Sequence, residues 1–308
     1  AFAPAIDVSL NVLLPGETTS PRLRNASHVA FGLKGSGSCS VDEHKFHVEK
    51  FDTWNIPSWS PNFYQNLGTE NFVFLSYSNA PLLKKLVVLY EEEDVILPTG
   101  HKRNSINKQT ERSARELALN QVIGEAGARV LGYEYLVDID VLPSIPLHWP
   151  WTDVSQYLGE VENYEGECGT KYQGRHLVTL YNPATERRIG TTHSFFATLA
   201  KYPPGRVDIP HRHTSAAINY IFAGDGRSTV QGQTFSWQAG DLMLSAPGWA
   251  VHNHASGDEG CSILTVQDHP MHIANESLLW QESLVSPIVN FGKEFGVQTN
   301  LNKLASAR

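Results

Sequence analysis

A chain of 308 residues is long enough for two domains of ordinary size, each with its own core. Apolar residues at 41% and charged residues at 18% are globular values, no run of about 18 apolar residues is present to span a membrane, and a net charge of −8 without a basic patch argues against a nucleic-acid partner. Three cysteines, Cys39, Cys168 and Cys261, are odd in number and far apart, which fits free thiols in a reducing, cytoplasmic setting better than a disulfide framework.

The opening stretch, AFAPAIDVSLNVLLPGE, lacks the basic n-region of a signal peptide and an initiator Met. It begins almost at a strand, so an N-terminal arm is expected to precede it. From there to about residue 95, strand-like segments alternate with Gly, Asp and Asn turns, which argues for an all-β domain. The run Glu91-Glu92-Glu93-Asp94 is expected to be a solvated face at the end of this first domain. Next, Gln109 to Val122 has helical character, with Leu117, Ala118 and Val122 as an apolar edge and Gly124, Gly127 and Gly132 ending it. In LPSIPLHWPWTDVSQYLGEV, Pro150 can open another helix, with Asp153 in its first turn. A second β-rich region follows, and beyond it Ser277 to Glu282 and a polar tail are expected to pack across a neighbouring surface. The domain limits read from this pattern are 1–95, a connecting segment 96–175, and 176–308.

The chemistry concentrates between Pro204 and His254. His211 and His213 stand two apart among residues that favour strand, so both imidazoles point to one face. Turn signals at Gly224-Asp225-Gly226, Gln231-Gly232-Gln233 and Ala239-Gly240-Asp241 are expected to fold the segment antiparallel and bring His252 back opposite that pair. Three neutral imidazoles at one point suit Fe, Zn, Cu or Ni. His254 has the register of a further imidazole on the same strand face as His252.

The two halves of the chain also repeat one another. Pro15-Gly16-Glu17 echoes Pro204-Gly205-Arg206, and Arg22-x-Arg24 falls where His211-x-His213 falls. The spacing from Arg24 to Gly35 and on to Asp52 equals that from His213 to Gly224 and on to Asp241. After a one-residue deletion, Pro57-Ser58-Trp59 matches Pro247-Gly248-Trp249 and Asn62 stands for His252; Ser78-Asn79-Ala80-Pro81 echoes Gln267-Asp268-His269-Pro270. One barrel is therefore expected twice, with a metal site in the second only, because arginine has no lone pair to give a metal.

These residues resemble the two motifs of the cupin barrel, PG…HxH…G and GD…P…H. They are more similar still to the gentisate 1,2-dioxygenase-like ring-cleaving bicupins. The likeness is carried by His211-Arg212-His213-Thr214, Ala216-Ala217, Gly224-x-Gly226-Arg227-Ser228, Phe235-x-Trp237, Gly240-Asp241, Pro247-x-Trp249, His252-x-His254 and Asp268-x-Pro270. Upstream, Tyr181-Asn182-Pro183-Ala184-Thr185 is similar to that family's NPxTG segment. The resemblance implies an all-β bicupin of two jelly-roll barrels with a few connecting helices. It implies Fe(II) on His211, His213 and His252, and O2-dependent opening of a gentisate-, salicylate- or hydroquinone-like ring in a homo-oligomer, a dimer or tetramer. His254 then serves as acid or base near the metal, and Asp268 orients a ligand or substrate group or else caps a turn before Pro270. Asn219, Arg206, Trp249 and His193 are the candidates for substrate contact, although Trp249, like Trp237, reads first as core.

Three departures from the pattern matter. In that family the first barrel carries the iron, whereas here the histidines fall in the second. The broad cupin pattern has a Glu where Ala217 stands, so the ligand set is neutral and a divalent ion keeps its full charge for anionic chelating substrates. The family's carboxylate-gripping Arg is replaced by Asn219; either Arg187, Arg188 or Arg206 takes over, or the substrate is a neutral diphenol or aminophenol. Two other classes stay open: a metal-dependent cupin isomerase, decarboxylase or diketone-cleaving enzyme, and a non-catalytic ligand-binding bicupin.

Overall fold

A computed structural model describes residues 1–95, 121–123, 126–133, 145–162 and 176–293. In the first half, β1 (Asp7–Leu13), β3 (His28–Lys34), β6 (Thr53–Ile56) and β8 (Phe72–Ser78) form one antiparallel sheet in the order β1-β8-β3-β6, extended at its edge by β12 (His148–Trp149). Facing strands β5 (His44–Val48), β4 (Gly37–Val41), β7 (Asn62–Gln65), β2 (Arg22–Arg24) and β9 (Glu91–Glu93) form the other, in that order. Trp54, Phe72, Phe74, Val41, Val48 and Cys39 are buried between them. Strand alternation is the cause: β8 reads Phe-Val-Phe-Leu-Ser-Tyr-Ser, with Phe72 and Phe74 inside this barrel and Leu75 and Tyr77 in a different core.

The second half repeats the plan with longer strands. β13 (His176–Thr179), β14 (Phe196–Tyr202), β19 (His252–Gln267), β16 (Ala217–Val230) and β17 (Gln233–Gln238) run in that order, and β18 (Leu242–Ala246) also pairs with β16. A smaller sheet joins β15 (Arg212–His213), β20 (Leu279–Gln281) and β21 (Val289–Asn290). Ile221, Trp237, Ile263, Ala200, Tyr202 and Cys261 fill this interior. A third core lies where the halves meet: Val29, Phe31 and Tyr77 from the first pack with Leu199, Ile218, Phe222 and Leu264 from the second. The expected all-β architecture of two jelly rolls is the one observed.

Gly224-Asp225-Gly226 does not reverse the chain, contrary to the turn expected there. It sits inside β16 as a bulge, where the register against β19 slips. Gly224 has φ +72°, and a Cβ on it would fall 2.0 Å from the Gly260 carbonyl, so only glycine fits. Its counterpart Gly35, at φ +66°, meets the Asn71 carbonyl in the same way. The true reversals are Gln231-Gly232, both at positive φ, and Gly240-Asp241, where the Asp241 carboxylate accepts the Gln238 backbone N–H at 2.8 Å.

Helix α1 (Ala80–Lys85) follows β8, and α2 (Trp151–Glu162) starts directly after Pro150 with Asp153 in its first turn. The helix expected over Gln109–Val122 falls mostly outside the described residues. Its last two positions belong instead to β10 (Gln121–Ile123), which pairs with β11 (Ala128–Val130) in a separate two-stranded unit. Helix α3 (His269–Ala274) follows β19. Cys39 and Cys261 are free and buried, and Cys168 lies outside the described residues. Among the described residues no helix is long and apolar enough to cross a membrane.

Candidate metal centre

His211 forms an antiparallel bridge with His252, through reciprocal backbone hydrogen bonds of 3.0 and 2.9 Å. His213 lies two residues on, so alternation turns its ring to the same face. The ligating atoms of His211, His213 and His252 all lie within 4.8 Å of one another, and the three residues are buried.

Each ring is held by its Nδ1. His211 Nδ1 meets the Ile209 carbonyl at 3.0 Å, His213 Nδ1 the Ser215 carbonyl at 2.9 Å, and His252 Nδ1 the Ala250 carbonyl at 2.9 Å. A carbonyl can only accept, so all three rings are Nδ1–H tautomers whose lone pair sits on Nε2. Burial, and then the neighbouring imidazoles, hold the His213 pKa well below the ordinary histidine value, which keeps the ring neutral. Three neutral nitrogen donors with oriented rings are what a transition-metal ion needs, and the residues present fit such an ion.

His254 sits beside this cluster, its ring centroid 5.8 Å from that of His252. Its Nδ1 lies 2.7 Å from Ser228 Oγ, which also accepts the Trp237 indole N–H at 2.8 Å. A hydroxyl can donate to a neutral Nδ1 or accept from a protonated one, so His254 keeps its partner in either protonation state. Trp237 thus belongs to the core and still reaches the site, through Ser228.

Two residues join the site without having been picked out by the sequence. Trp280, on β20, pairs with His213 across the small sheet and stacks on its ring at 5.0 Å and 15°. The segment expected to cover a neighbouring surface therefore walls the imidazole cluster. His269, at the start of α3, has its ring 5.5 Å from that of His213. Its Nδ1 is buried with no hydrogen-bond partner among the described residues, and burial followed by the charge of His272 pushes its pKa down to about 3.

The substrate candidates separate. Asn219 is buried on β16 with its Oδ1 unpartnered among the described residues, and Gln267 Oε1, at the end of β19, is in the same condition. Arg206 has a buried, unpartnered Nε, and its backbone exchanges hydrogen bonds with Ser256, two residues past His254. Trp249 lies under the Arg212 guanidinium, 4.5 Å from the ring centroid. Arg212 alternates with the two ligand histidines, so this contact belongs to the opposite strand face and does not form a substrate wall. His193 is placed next to Thr192 and Ser194, which bond Ser27 and Asn79 of the first half; burial, and then the charge of Arg188, lower its pKa. That puts it at the junction of the halves and not in the imidazole cluster. Asp268 reaches no ligand ring either: its carboxylate accepts the Ala216 backbone N–H at 2.8 Å and lies 3.5 Å from His272. It makes no side-chain cap on α3.

Comparison with known proteins follows the same lines. Residues 198–267, the body of the second barrel, match the Cupin domain family. The chain is 23% identical over 270 residues to 5-aminosalicylate 1,2-dioxygenase of Comamonas sp., covering 86% of this chain and 66% of the relative. It is 24% identical over 271 residues to 1-hydroxy-2-naphthoate 1,2-dioxygenase of Nocardioides sp. (strain KP7), covering 87% and 64%. This chain thus spans about two thirds of the length of these relatives. Its fold is that of salicylate 1,2-dioxygenase from Pseudaminobacter salicylatoxidans, with a TM-score of 0.70 at 16% identity over 91% of this chain and 75% of that one. The family match is confined to the second barrel, and the likeness of fold extends over 91% of the chain.

Proposed function

We propose that this chain is an Fe(II)-dependent dioxygenase that opens the ring of a hydroxylated aromatic acid, of the salicylate or gentisate type, with O2. The observation that carries this is the cluster of His211, His213 and His252, three buried Nδ1–H imidazoles presenting neutral Nε2 donors with no carboxylate among them. The similarity to relatives named as dioxygenases of aminosalicylate and hydroxynaphthoate supports the reaction class. Domain limits of 1–95 for a metal-free barrel and 176–308 for the metal-bearing one follow from the same reading, and the buried free thiols fit a cytoplasmic enzyme.

A bound iron supplies a Lewis-acidic, redox-active centre with positions left for a chelating substrate and O2. The protein's own groups do the rest. Arg206 supplies the cation for the substrate carboxylate that Asn219 does not, and its unpartnered buried Nε favours an acid over a neutral diphenol. Asn219 Oδ1 and Gln267 Oε1 are acceptors for ring hydroxyl or amino groups. His254 takes the phenolic proton at Nε2 while Ser228 Oγ steadies Nδ1. Trp280 and the Phe291 packed on it at 5.8 Å exclude water from the ligand rings.

An oxygen electrode tests this. The Fe(II)-loaded protein is offered 5-aminosalicylate, salicylate, gentisate, 1-hydroxy-2-naphthoate and hydroquinone. O2 uptake matched by ring-opened product is expected for at least one acid, and none after exchange to Zn(II). Stoichiometric iron with no uptake on the whole series would move the protein to the isomerase, decarboxylase or non-catalytic classes.

A further inference from the structure

The first barrel contains a cavity of about 520 Å³, a size that holds a small ligand. Its lining includes Arg22, Arg24, His28 and Asn62, the positions that the repeat sets against His211, His213, Ala217 and His252. The backbone agrees, since Arg22 pairs with Asn62 as His211 pairs with His252. At the positions that match the metal ligands the first barrel thus carries cations and N–H donors in place of lone-pair donors; the one carboxylate on the lining, Glu17, accepts the Leu14 backbone N–H at 2.7 Å.

We infer that the first barrel is a binding site for a small aromatic carboxylate, gripped by Arg24 and Arg22, with its ring against Ile56, Phe74 and Tyr64. This stands apart from the iron reading of the second barrel. Both cations line the cavity. Arg24 lies close enough to His28 and Tyr64 to act on both, and burial followed by the Arg24 charge pushes the His28 pKa down to about 3. A neutral His28 leaves the arginine charge uncancelled and adds no third cation. Arg22 Nε is buried with no partner among the described residues.

Two carboxylates already approach from outside: Glu93 lies 3.1 Å from Arg22 Nη2 and Glu91 3.4 Å from Arg24 Nε. Both belong to the exposed strand β9, so these are surface pairs of small worth, and each engages one nitrogen of a guanidinium that has five N–H donors. The acidic run read as a solvated face is thus a strand laid on the back of the arginines, which leaves donors toward the cavity. The apolar side of the lining is what selects an aromatic acid over a bare inorganic anion.

Calorimetric titration of benzoate into the full chain, freed of metal by a chelator and carrying His213→Ala, tests this without interference from the metal centre. Benzoate should bind, and benzamide, its neutral isostere, should bind at least ~10-fold more weakly, which is what the loss of one charge-assisted pair amounts to. Arg24→Gln should weaken benzoate by a similar factor, with Arg24→Lys intermediate. Should Arg24→Gln fail to fold, Asn62→Asp serves, because a carboxylate beside Arg22 repels benzoate and should lower its affinity at least ~10-fold. Equal binding of benzamide, an affinity untouched by these changes, no detectable binding, or displacement of benzoate by inorganic phosphate at equal concentration would each overturn the assignment.

Discussion

The two barrels share a frame and differ in lining. In both, a two-residue step on one short strand faces a single residue opposite: Arg22 and Arg24 face Asn62 in the first, and His211 and His213 face His252 in the second. Deeper inside, Tyr64 pairs with Cys39 in one and His254 with Ser228 in the other, and each takes an indole into its network, from Trp54 directly and from Trp237 through Ser228. At the far end, Asn79 Oδ1 accepts the Ser27 N–H and Asp268 Oδ1 the Ala216 N–H, at 2.9 and 2.8 Å. The comparison sorts residues by role. What both halves keep is scaffold, and what changes between them is where chemistry has diverged.

The largest effect expected from this sorting is at the ligands. His211→Ala should abolish metal occupancy and O2 uptake together, because two imidazoles hold a divalent ion poorly. Iron content by mass spectrometry is the check, and near-normal iron in this variant would remove the metal from the second barrel. The converse change is equally informative: no metal should bind the first barrel, so a protein with His211, His213 and His252 all replaced should retain none.

Next is His254. Replacing it with Ala should leave iron in place and lower kcat by roughly 10²–10⁴-fold, the usual range for a lost acid–base group. Iron lost in proportion to rate would make the residue a ligand or a support instead. A smaller effect is expected at Arg206→Gln, about 10–100-fold in kcat/KM for a carboxylated substrate and little for hydroquinone, from the loss of one charge-assisted contact. Equal losses on both substrates would mean that Arg206 shapes the site without meeting the carboxylate.

How much of this was legible depends on the range of the signal. The HxH pair, its partner His252 and the paired barrels could be read because strand alternation and an internal repeat leave fixed spacings. Trp280 could not, since it reaches His213 through a pairing between β15 and β20 that no local spacing announces. His269 was within reach: it stood inside a matched segment, opposite Ala80, and a histidine facing an alanine across the repeat is the kind of difference that marks the site. Gly224-Asp225-Gly226 was misread because glycine at positive φ serves turns and bulges alike, and only the Gly260 carbonyl pressing on Gly224 decides between them. Asp268 was credited with chemistry because it closed a family motif, although its counterpart Asn79 already pointed to scaffold.

That last point gives the smallest predicted effect and the sharpest use of the comparison. If Asp268 only ties the Ala216 N–H, then the first barrel has already run the substitution, since Asn79 makes the same bond with a neutral amide. Asp268→Asn should therefore keep the bond, lose only the partly exposed pairing with His272, and change stability by less than ~1 kcal/mol. Asp268→Ala is different: it strands a buried backbone N–H and should cost about 1–3 kcal/mol, as should Asn79→Ala at the mirrored site. Denaturant midpoints measure all three. Turnover per bound iron separates the roles, because a scaffold residue lost to Asn leaves kcat unchanged, whereas a carboxylate acting on substrate or on a ligand imidazole does not. A fall of tenfold or more in kcat for Asp268→Asn at an unaltered midpoint would return Asp268 to the reaction and break the equivalence with Asn79.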